Sequence, residues 1–380
     1  RSTLFPYTTL FRSRTGGRLA EVIGPRGLPI DRLYRTLDLA GSGRKSLSTL
    51  SPDIRAHLQA YTEGVNAWLQ DSGQGWPIEY RVLGITPEPW RPEDALIWGK
   101  AMAWKLSANW RQDATRATLA ARYGQERAEK LFPPKFPEWP VTLKPEIASP
   151  PQRGASLAQP GRATTAMLDA LLAMPVAGAG ASNEWVIDGT RSTTGKPLLA
   201  NDPHLELNIP ILWYLVQITT PEITLTGATA PGAPIMLLGQ NGHIAWGFTT
   251  TDSDTQDLFV ERQAPGDPGS YLTPEGPQPI RSEKLTIKVK GEAPVEMIRR
   301  TTRHGPVISD GIPEARALAA DGTMIALSWP GLSETDTTPE AFFRINMARN
   351  KEEFLTALRL YVSPAGSRSE ERRVGKECRS

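Results

Sequence analysis

The first part of the chain spaces its apolar residues with the period of an α-helix. Between Ile54 and Trp68 they recur at intervals of four and three, directly after Ser51-Pro52, a typical helix start. Further helices are predicted from Pro92 through Trp104 and over 112–123, where Gly124 favours an end. Residues 14–131 are therefore predicted to be helical, with their tryptophans packed in the core.

Proline interrupts the pattern between residues 132 and 181. Nine prolines lie between positions 133 and 175, and one short apolar helix is predicted at 167–174. Such a long segment without a continuous element is unusual inside a compact domain. It fits a removable spacer, a covering lid or a disordered stretch.

From residue 182 the apolar positions alternate with the period of two that is typical of β-strands. Strands are predicted at 183–188, 197–201, 213–219, 223–227, 236–238, 244–249, 257–261, 285–289, 295–300 and 324–329. The pair at 285–300 forms a predicted hairpin over Gly291. A helix over 338–348 follows, and Asn350 with Glu353 resembles a capping box for another helix to residue 360. Helices, then strands, then helices indicate a layered α+β fold.

The two ends differ from the rest of the chain. Residues 1–13 and 368–380 can be back-translated into a DNA sequence and its reverse complement, as expected of a sequencing adapter joined to both ends of a fragment. We set both segments aside as artefacts. The natural part is then 14–367, which we expect to be cut short at both ends, with any signal peptide upstream.

Charge and cysteine content narrow the classes of protein. The chain has 43 basic and 41 acidic residues, and the terminal segments hold seven and three of these, which leaves 36 and 38. Such a balance argues against a nucleic-acid partner. The single cysteine, Cys378, lies in a set-aside end, so thiolate catalysis within 14–367 is excluded and a periplasmic or secreted protein is favoured. No apolar run approaches the roughly 20 residues of a membrane span.

Ser182 lies between a run of small residues, 177–181, and the first predicted strand. Cleavage before Ser182 would give one residue both a hydroxyl nucleophile and an α-amine, whose usual pKa of about 7.7–8.0 suits a general base. Without such a cut Ser182 is an ordinary strand serine.

The sequence blocks around Ser182 resemble the penicillin acylases, a family of N-terminal nucleophile hydrolases. The similarity extends over nearly all of 14–367 except the spacer. It is carried by the blocks 17–21, 63–67, 83–90, Ser182–Ile187, 196–205, 239–249 and 254–259. The resemblance implies a four-layer αββα sandwich. It also implies a helical α-chain part at 14–131, a spacer at 132–181 and the first part of a β chain at 182–367.

The resemblance also implies a mechanism. The precursor would cleave itself between Ala181 and Ser182, and Ser182 would then attack a substrate amide while its own α-amine accepts the proton. The backbone N–H of Thr250 would stabilise the oxyanion. His204 would line the site, with its backbone carbonyl near the substrate amide. The alternative is that His204 only closes the turn after Pro203.

A structural calcium ion is implied in the same way. Asp254 and Asp257 resemble the family's calcium ligands, Gln256 would add its backbone carbonyl, and Asp113 would supply an α-chain carboxylate. Hard oxygen ligands of this kind suit Ca²⁺. The alternative is a solvated acidic loop.

Other polar residues have simpler interpretations. Asn241-Gly242 is a hairpin turn signal, so we interpret it as structural. His304 is interpreted as a turn residue, and His57 as a solvated residue on the polar side of its helix.

One position departs from the family. After 361–365 the family has Gln-Asn, whose asparagine is the second oxyanion donor, whereas this chain has Gly366-Ser367. We therefore expect the 380-residue chain itself to be inactive.

The implied activity is hydrolysis of a linear amide, with α and β chains from one precursor forming a heterodimer. The acyl amide could be a β-lactam side chain, an N-acyl-homoserine lactone or an acylated peptide. The alternative is a non-catalytic homologue that binds acyl ligands or peptides without processing.

Overall fold

The computed structural model describes residues 12–71, 78–107, 109–131, 182–205, 212–250, 254–363 and 366–372. The spacer, with its predicted helix at 167–174 and the expected cleavage point at Ala181, lies outside the described residues.

Helices dominate the described residues before the spacer, as the apolar periodicity predicts. They are α1 (Ala20–Ile23), α2 (Leu28–Leu37), α3 (Leu39–Thr49), α4 (Pro52–Gln70), α5 (Ile78–Leu83), α6 (Pro92–Leu106), α7 (Trp110–Tyr123) and α8 (Gln125–Leu131). Proline stands at the start of α4 and of α6, where a missing N–H costs nothing. Gly124, with a φ of 82°, ends α7 at the predicted position.

Strands dominate from residue 182 onward, and three further helices follow among or after them. The strands are β1 (Ser182–Ile187), β2 (Leu198–Pro203), β3 (Tyr214–Thr219), β4 (Thr224–Thr229), β5 (Leu238–Gln240), β6 (Ile244–Thr250), β7 (Asp257–Ala264), β8 (Asp267–Thr273), β9 (Gly276–Pro279), β10 (Arg281–Ile287), β11 (Val295–Thr302), β12 (Gly305–Pro306), β13 (Thr323–Ser328) and β14 (Gly366–Arg372). The helices are α9 (Pro313–Arg316), α10 (Thr338–Met347) and α11 (Lys351–Leu358).

The described strands form antiparallel sheets. Their orders are β1-β2, β10-β11-β12, β13-β7-β8-β9 and β14-β6-β5-β4-β3. The hairpin over Gly291 is confirmed, because β10 pairs with β11 and Gly291 adopts a φ of 79°. Residues 368–372, which belong to the adapter-like segment at the carboxyl end, lie in β14 beside β6.

The observed strands differ from the predicted ones in several places, and two of these differences have a clear physical reason. The β8–β9 hairpin was not predicted, because Pro268, Pro277 and Pro279 favour a loop; β9 can hold its prolines because it is the edge strand. Strand β5 begins at Leu238 rather than Met236. The backbone N–H of Met236 donates to the Asn346 side chain at 2.7 Å instead of joining a strand.

A core of tryptophans joins the amino-terminal helices to the sheets. Trp110 is fully buried, Trp104 stacks against it at 6.4 Å, and Trp104 meets Trp329 edge-on at 5.5 Å. Core packing is thus confirmed for Trp104. It is wrong for Trp68, which is 43% exposed in the last turn of α4.

Helices α10 and α11 cover one part of the five-stranded sheet. Ile345 and Phe354 pack with Ile244 and Trp246 of β6 in one buried cluster. Half of the predicted capping box is present, since Asn350 Oδ1 accepts the N–H of Glu353 at 2.9 Å. The Glu353 carboxylate accepts the N–H of Arg349 at 2.8 Å rather than that of Asn350. The chain is therefore a protein of mixed helix and sheet. In the described part, no helix is long and apolar enough to cross a bilayer.

Candidate active site

Ser182 is the first residue of β1 and lies opposite Pro203 of β2. Alternate residues of β1 are half-buried and exposed, and Ser182 belongs to the half-buried set. The backbone carbonyl of Ser182 accepts a hydrogen bond from the Thr249 hydroxyl at 3.2 Å. This bond ties the start of β1 to the end of β6.

Asn201 of β2 fixes the β1–β2 hairpin on β6. Its amide donates to the carbonyls of Asn183 at 3.0 Å and Phe248 at 3.1 Å, and its Oδ1 accepts the N–H of Phe248 at 3.2 Å. Because β1 and β2 lie close to the backbone of β6 at this point, position 247 favours glycine. A Cβ there would lie 2.6 Å from Glu184 Oε1 and 2.8 Å from Asn201 Oδ1.

A cavity of about 140 Å³ opens beside Ser182. Thr249 and Thr250, at the end of β6, line the same cavity. The structure thus brings the predicted nucleophile and the residue with the predicted oxyanion N–H to one space.

Most of the cavity wall is apolar. Met102 of α6, Trp213 and Ile235 contribute to it. An aromatic row completes it: Phe342 meets Phe248 at 6.3 Å and Tyr361 at 5.7 Å, both edge-on. Such a wall suits an apolar ligand group.

His204 lies outside this wall, although its neighbours Pro203 and Leu205 line the cavity. Its Nε2 is 2.8 Å from Asp202 Oδ2, and both side chains are substantially exposed. The N–H of Leu205 donates to the carbonyl of Pro203 at 3.0 Å, which closes a three-residue turn centred on His204. The structure therefore contains the turn that the alternative interpretation of His204 describes. A catalytic role for His204 stays a prediction.

The predicted metal ligands form an acidic group between α7 and β7. Burial and then the charge of Asp254 raise the pKa of Asp113 from 3.8 to about 6, with a smaller contribution from Asp257. Burial and Asp254 also raise the pKa of Asp257. The mutual repulsion of these carboxylates is the situation that a bound cation relieves.

Asn109 holds part of this acidic group. Its amide nitrogen donates to Asp254 Oδ1 at 2.6 Å and to the carbonyl of Gln256 at 2.8 Å. Its Oδ1 accepts the N–H groups of Thr255 and Gln256. Over the described ranges, no three Asp, Glu, His or Cys side chains converge closely enough to form a preassembled metal cage. Carboxylate and carbonyl oxygens are the ligands that a hard cation prefers. In this structure, however, Asp254 and the Gln256 carbonyl are hydrogen-bonded to Asn109.

The turn residues behave largely as interpreted from the sequence. Asn241 Oδ1 accepts the N–H groups of His243 and Ile244, and Gly242 has a φ of 85°. His304 lies in the β11–β12 turn, with Nδ1 2.8 Å from Glu261 Oε1. His57 is exposed but stacks on Phe343 at 5.7 Å.

Sequence reasoning did not single out Asn201, Asn109 or Lys100. Asn201 lies in the block 196–205 that resembles the family, and its polar side chain within an alternating strand was a usable signal. Lys100 stands among apolar residues of α6, and a charge at such a position indicates a buried partner. That partner is Asp336, 2.9 Å away.

Together these features define a protein of mixed helix and sheet in which a serine at the start of a strand lines a largely apolar cavity. The sequence profile of the penicillin amidase family matches residues 8–367. The chain belongs to this family.

Individual relatives agree with this assignment. The chain is 31% identical over 351 residues to the acyl-homoserine lactone acylase QuiP of Pseudomonas aeruginosa, covering 90% of this chain and 41% of that protein. It is 30% identical over 353 residues to the penicillin acylase 2 proenzyme of Pseudomonas sp. strain SE83, covering 92% and 44%. The chain thus spans about two fifths of the length of these relatives.

Among solved structures, the thermostable penicillin G acylase of Alcaligenes faecalis is similar to this chain with a TM-score of 0.44 at 24% identity. That comparison covers 50% of this chain and 33% of the other.

Proposed function

We propose that the protein is an amidohydrolase that cleaves a linear acyl amide through an N-terminal serine. The observation that carries the proposal is the position of Ser182 at the start of β1, beside an apolar cavity that Thr250 also lines. The names of the relatives, an acyl-homoserine lactone acylase and a penicillin acylase, support the same chemistry. The complete fold in this proposal is the four-layer αββα sandwich.

In the proposed mechanism, the Ala181–Ser182 peptide bond is cleaved first. The freed α-amine, directly or through a water molecule, accepts the proton of the Ser182 hydroxyl as its oxygen attacks the substrate carbonyl. The Thr250 N–H stabilises the oxyanion, a contribution of about 2.7–4 kcal/mol for one such donor. When the tetrahedral intermediate collapses, the substrate C–N bond breaks and the protonated α-amine gives its proton to the leaving amine. The acyl group of the resulting acyl-enzyme occupies the apolar cavity, and water then hydrolyses the ester to release a carboxylic acid and restore the Ser182 hydroxyl.

The proposal includes a precursor and a cation. One relative is named a proenzyme, which supports maturation into α and β chains that remain associated as a heterodimer. A calcium ion held by Asp113, Asp254, Asp257 and the Gln256 carbonyl would neutralise the acidic group. The absence of cysteine from residues 14–367 suits a periplasmic or secreted protein.

Mass spectrometry of the purified chain tests the cleavage. We expect a fragment beginning at Ser182 in the wild type, and an uncut chain for Ser182→Ala. Ser192→Ala is the matched control, because Ser192 lies in the loop of the same hairpin and its hydroxyl is hydrogen-bonded to Thr194 of that loop. It should cleave like the wild type. An uncut wild-type chain would favour the alternative, a homologue that binds acyl ligands without processing.

A panel of phenylacetyl, glutaryl and long-chain acyl amides tests the activity. Because Gly366-Ser367 replaces the expected second oxyanion donor, we expect cleavage at Ser182 without substantial turnover in this chain. Robust turnover by the 380-residue chain would show that this donor is dispensable or supplied elsewhere.

A further inference from the structure

Lys100 of α6 lies at the edge of the Ser182 cavity but has no free donor to offer a ligand. Its Nζ donates to the carbonyl of Gly331 at 3.0 Å, the carbonyl of Ser333 at 3.3 Å and Asp336 Oδ2 at 2.9 Å. A lysine ammonium has three N–H donors, and all three are used here. Lys100 therefore holds the loop that contains Asp336.

Asp336 links Lys100 to the start of α10. Its Oδ1 accepts the N–H of Thr338 at 2.9 Å. The Thr338 hydroxyl in turn accepts the N–H groups of Val362 at 2.9 Å and Ser363 at 3.1 Å. A hydroxyl has two acceptor lone pairs, so both are occupied. Lys100, Asp336, Thr338 and Ser363 all line the cavity.

The loop between β13 and α10, which contains Asp336, is also hydrogen-bonded to α3. Ser42 Oγ donates to the carbonyl of Leu332 at 3.1 Å. Ser46 Oγ approaches the carbonyl of Ser333 at 3.5 Å. The loop is thus held by side chains from two helices of the amino-terminal part. Three residues after Ser363, Gly366 lies opposite Thr250 in the β14–β6 pair.

We propose that Lys100, Asp336 and Thr338 are positioning residues that set the wall of the Ser182 cavity. They form one chain of hydrogen bonds from α6, through the start of α10, to the backbone of Val362 and Ser363. A buried network of hydrogen bonds favours one arrangement, because each alternative leaves polar groups unpaired. The importance of this wall for an acyl group rests on the proposed function.

Two substitutions of Thr338 test the network in the full chain. Thr338→Val keeps the shape but removes the hydroxyl, whereas Thr338→Ser keeps the hydroxyl. We expect amide hydrogen exchange at Val362 and Ser363 to accelerate about tenfold or more in Thr338→Val, where tenfold corresponds to about 1.4 kcal/mol. Thr338→Ser should exchange like the wild type.

The control is Thr335→Val, a change at an exposed threonine of the same loop whose hydroxyl lies 3.1 Å from the Ser333 hydroxyl. It should leave exchange at Val362 and Ser363 unchanged. Unchanged exchange in Thr338→Val would overturn the proposal. So would equal acceleration in Thr338→Ser, because the hydroxyl would then not be the cause.

Calorimetry with phenylacetate then links the network to the cavity. We expect Thr338→Val to weaken phenylacetate binding by roughly tenfold and Thr338→Ser to preserve it. Equal binding by both variants and the wild type would refute a role in setting the cavity. If the wild type binds no phenylacetate while the exchange results hold, the network stands and the proposed acyl site fails.

Discussion

Some buried polar residues in this protein contact partners that lie far away in the sequence. Lys100 and Asp336 are separated by 236 positions, yet their side chains meet with only 3% and 7% of their surfaces exposed. Burial lowers the pKa of Lys100, and the contact with Asp336 opposes that shift. The pair is therefore stable as a unit and costly to break on one side.

We expect Lys100→Met to destabilise the protein by about 3–5 kcal/mol, because Asp336 would be left buried without its cation. The double variant Lys100→Met/Asp336→Leu should recover part of this loss, because the unpaired charge is gone while the N–H of Thr338 loses its acceptor. Urea unfolding of the wild type and both variants measures the difference. If the free energy of unfolding of the double variant is lower than that of Lys100→Met by about a further 3–5 kcal/mol, charge pairing is not the dominant effect.

The carboxyl group of Asp113 should make stability depend on pH. Its pKa is raised from 3.8 to about 6, so the folded protein binds this proton more tightly than the unfolded chain does. The contribution of Asp113 to stability therefore falls as pH rises from about 4 to about 6. In cation-free buffer, Asp113→Asn should gain stability relative to the wild type over this window. A difference between the two urea midpoints that does not vary with pH would contradict this assignment.

At the scale of elements, asparagine side chains join turns to helices. Asn241 in the β5–β6 turn is 3% exposed, and its amide nitrogen donates to the carbonyls of Asn346 at 3.0 Å and Ala348 at 2.7 Å. Its oxygen accepts two backbone N–H groups of the turn. One side chain thus fixes both the turn and the end of α10. The sequence indicated the turn through Asn241-Gly242, but the attachment to α10 depends on a contact across more than a hundred residues.

We expect Asn241→Ala to cost about 3 kcal/mol or more, because it leaves buried backbone groups without partners. Asn350→Ala is the matched comparison, since Asn350 caps α11 locally and its loss should cost about 1 kcal/mol. Urea unfolding of both variants provides the test. Equal losses would mean that the bonds from Asn241 to α10 add nothing.

At the scale of the whole molecule, the helices before the spacer and the strands after it share cores and polar contacts. Trp104 and Trp110 pack with Ile325 and Leu327 of β13 in one cluster. The acidic group spans the same boundary, with Asp113 in α7 and Asp257 in β7. A cation at this position would hold the two parts together after the proposed cleavage.

We therefore expect Ca²⁺ to stabilise the chelator-treated protein, by about 2.7 kcal/mol at a hundredfold excess over its dissociation constant. Asp254→Asn should remove most of the effect. Asp321→Asn, a change at an exposed acidic residue outside this group, should retain it. Thermal unfolding with and without Ca²⁺ measures the shift, and an equal shift in both variants would argue against this site.

The sequence by itself determined the order of elements, because apolar periodicity records which face of each helix or strand is buried. It also pointed to the family and to Ser182, since these rest on contiguous blocks of residues. Tertiary structure decided what lies beside Ser182: Asn201 fastens the β1–β2 hairpin to β6, and the cavity wall comes from α6, β6 and α10. It also decided the partners of Lys100 and Asn109, because side chains more than a hundred positions apart meet only when the elements pack, and no local pattern encodes that distance.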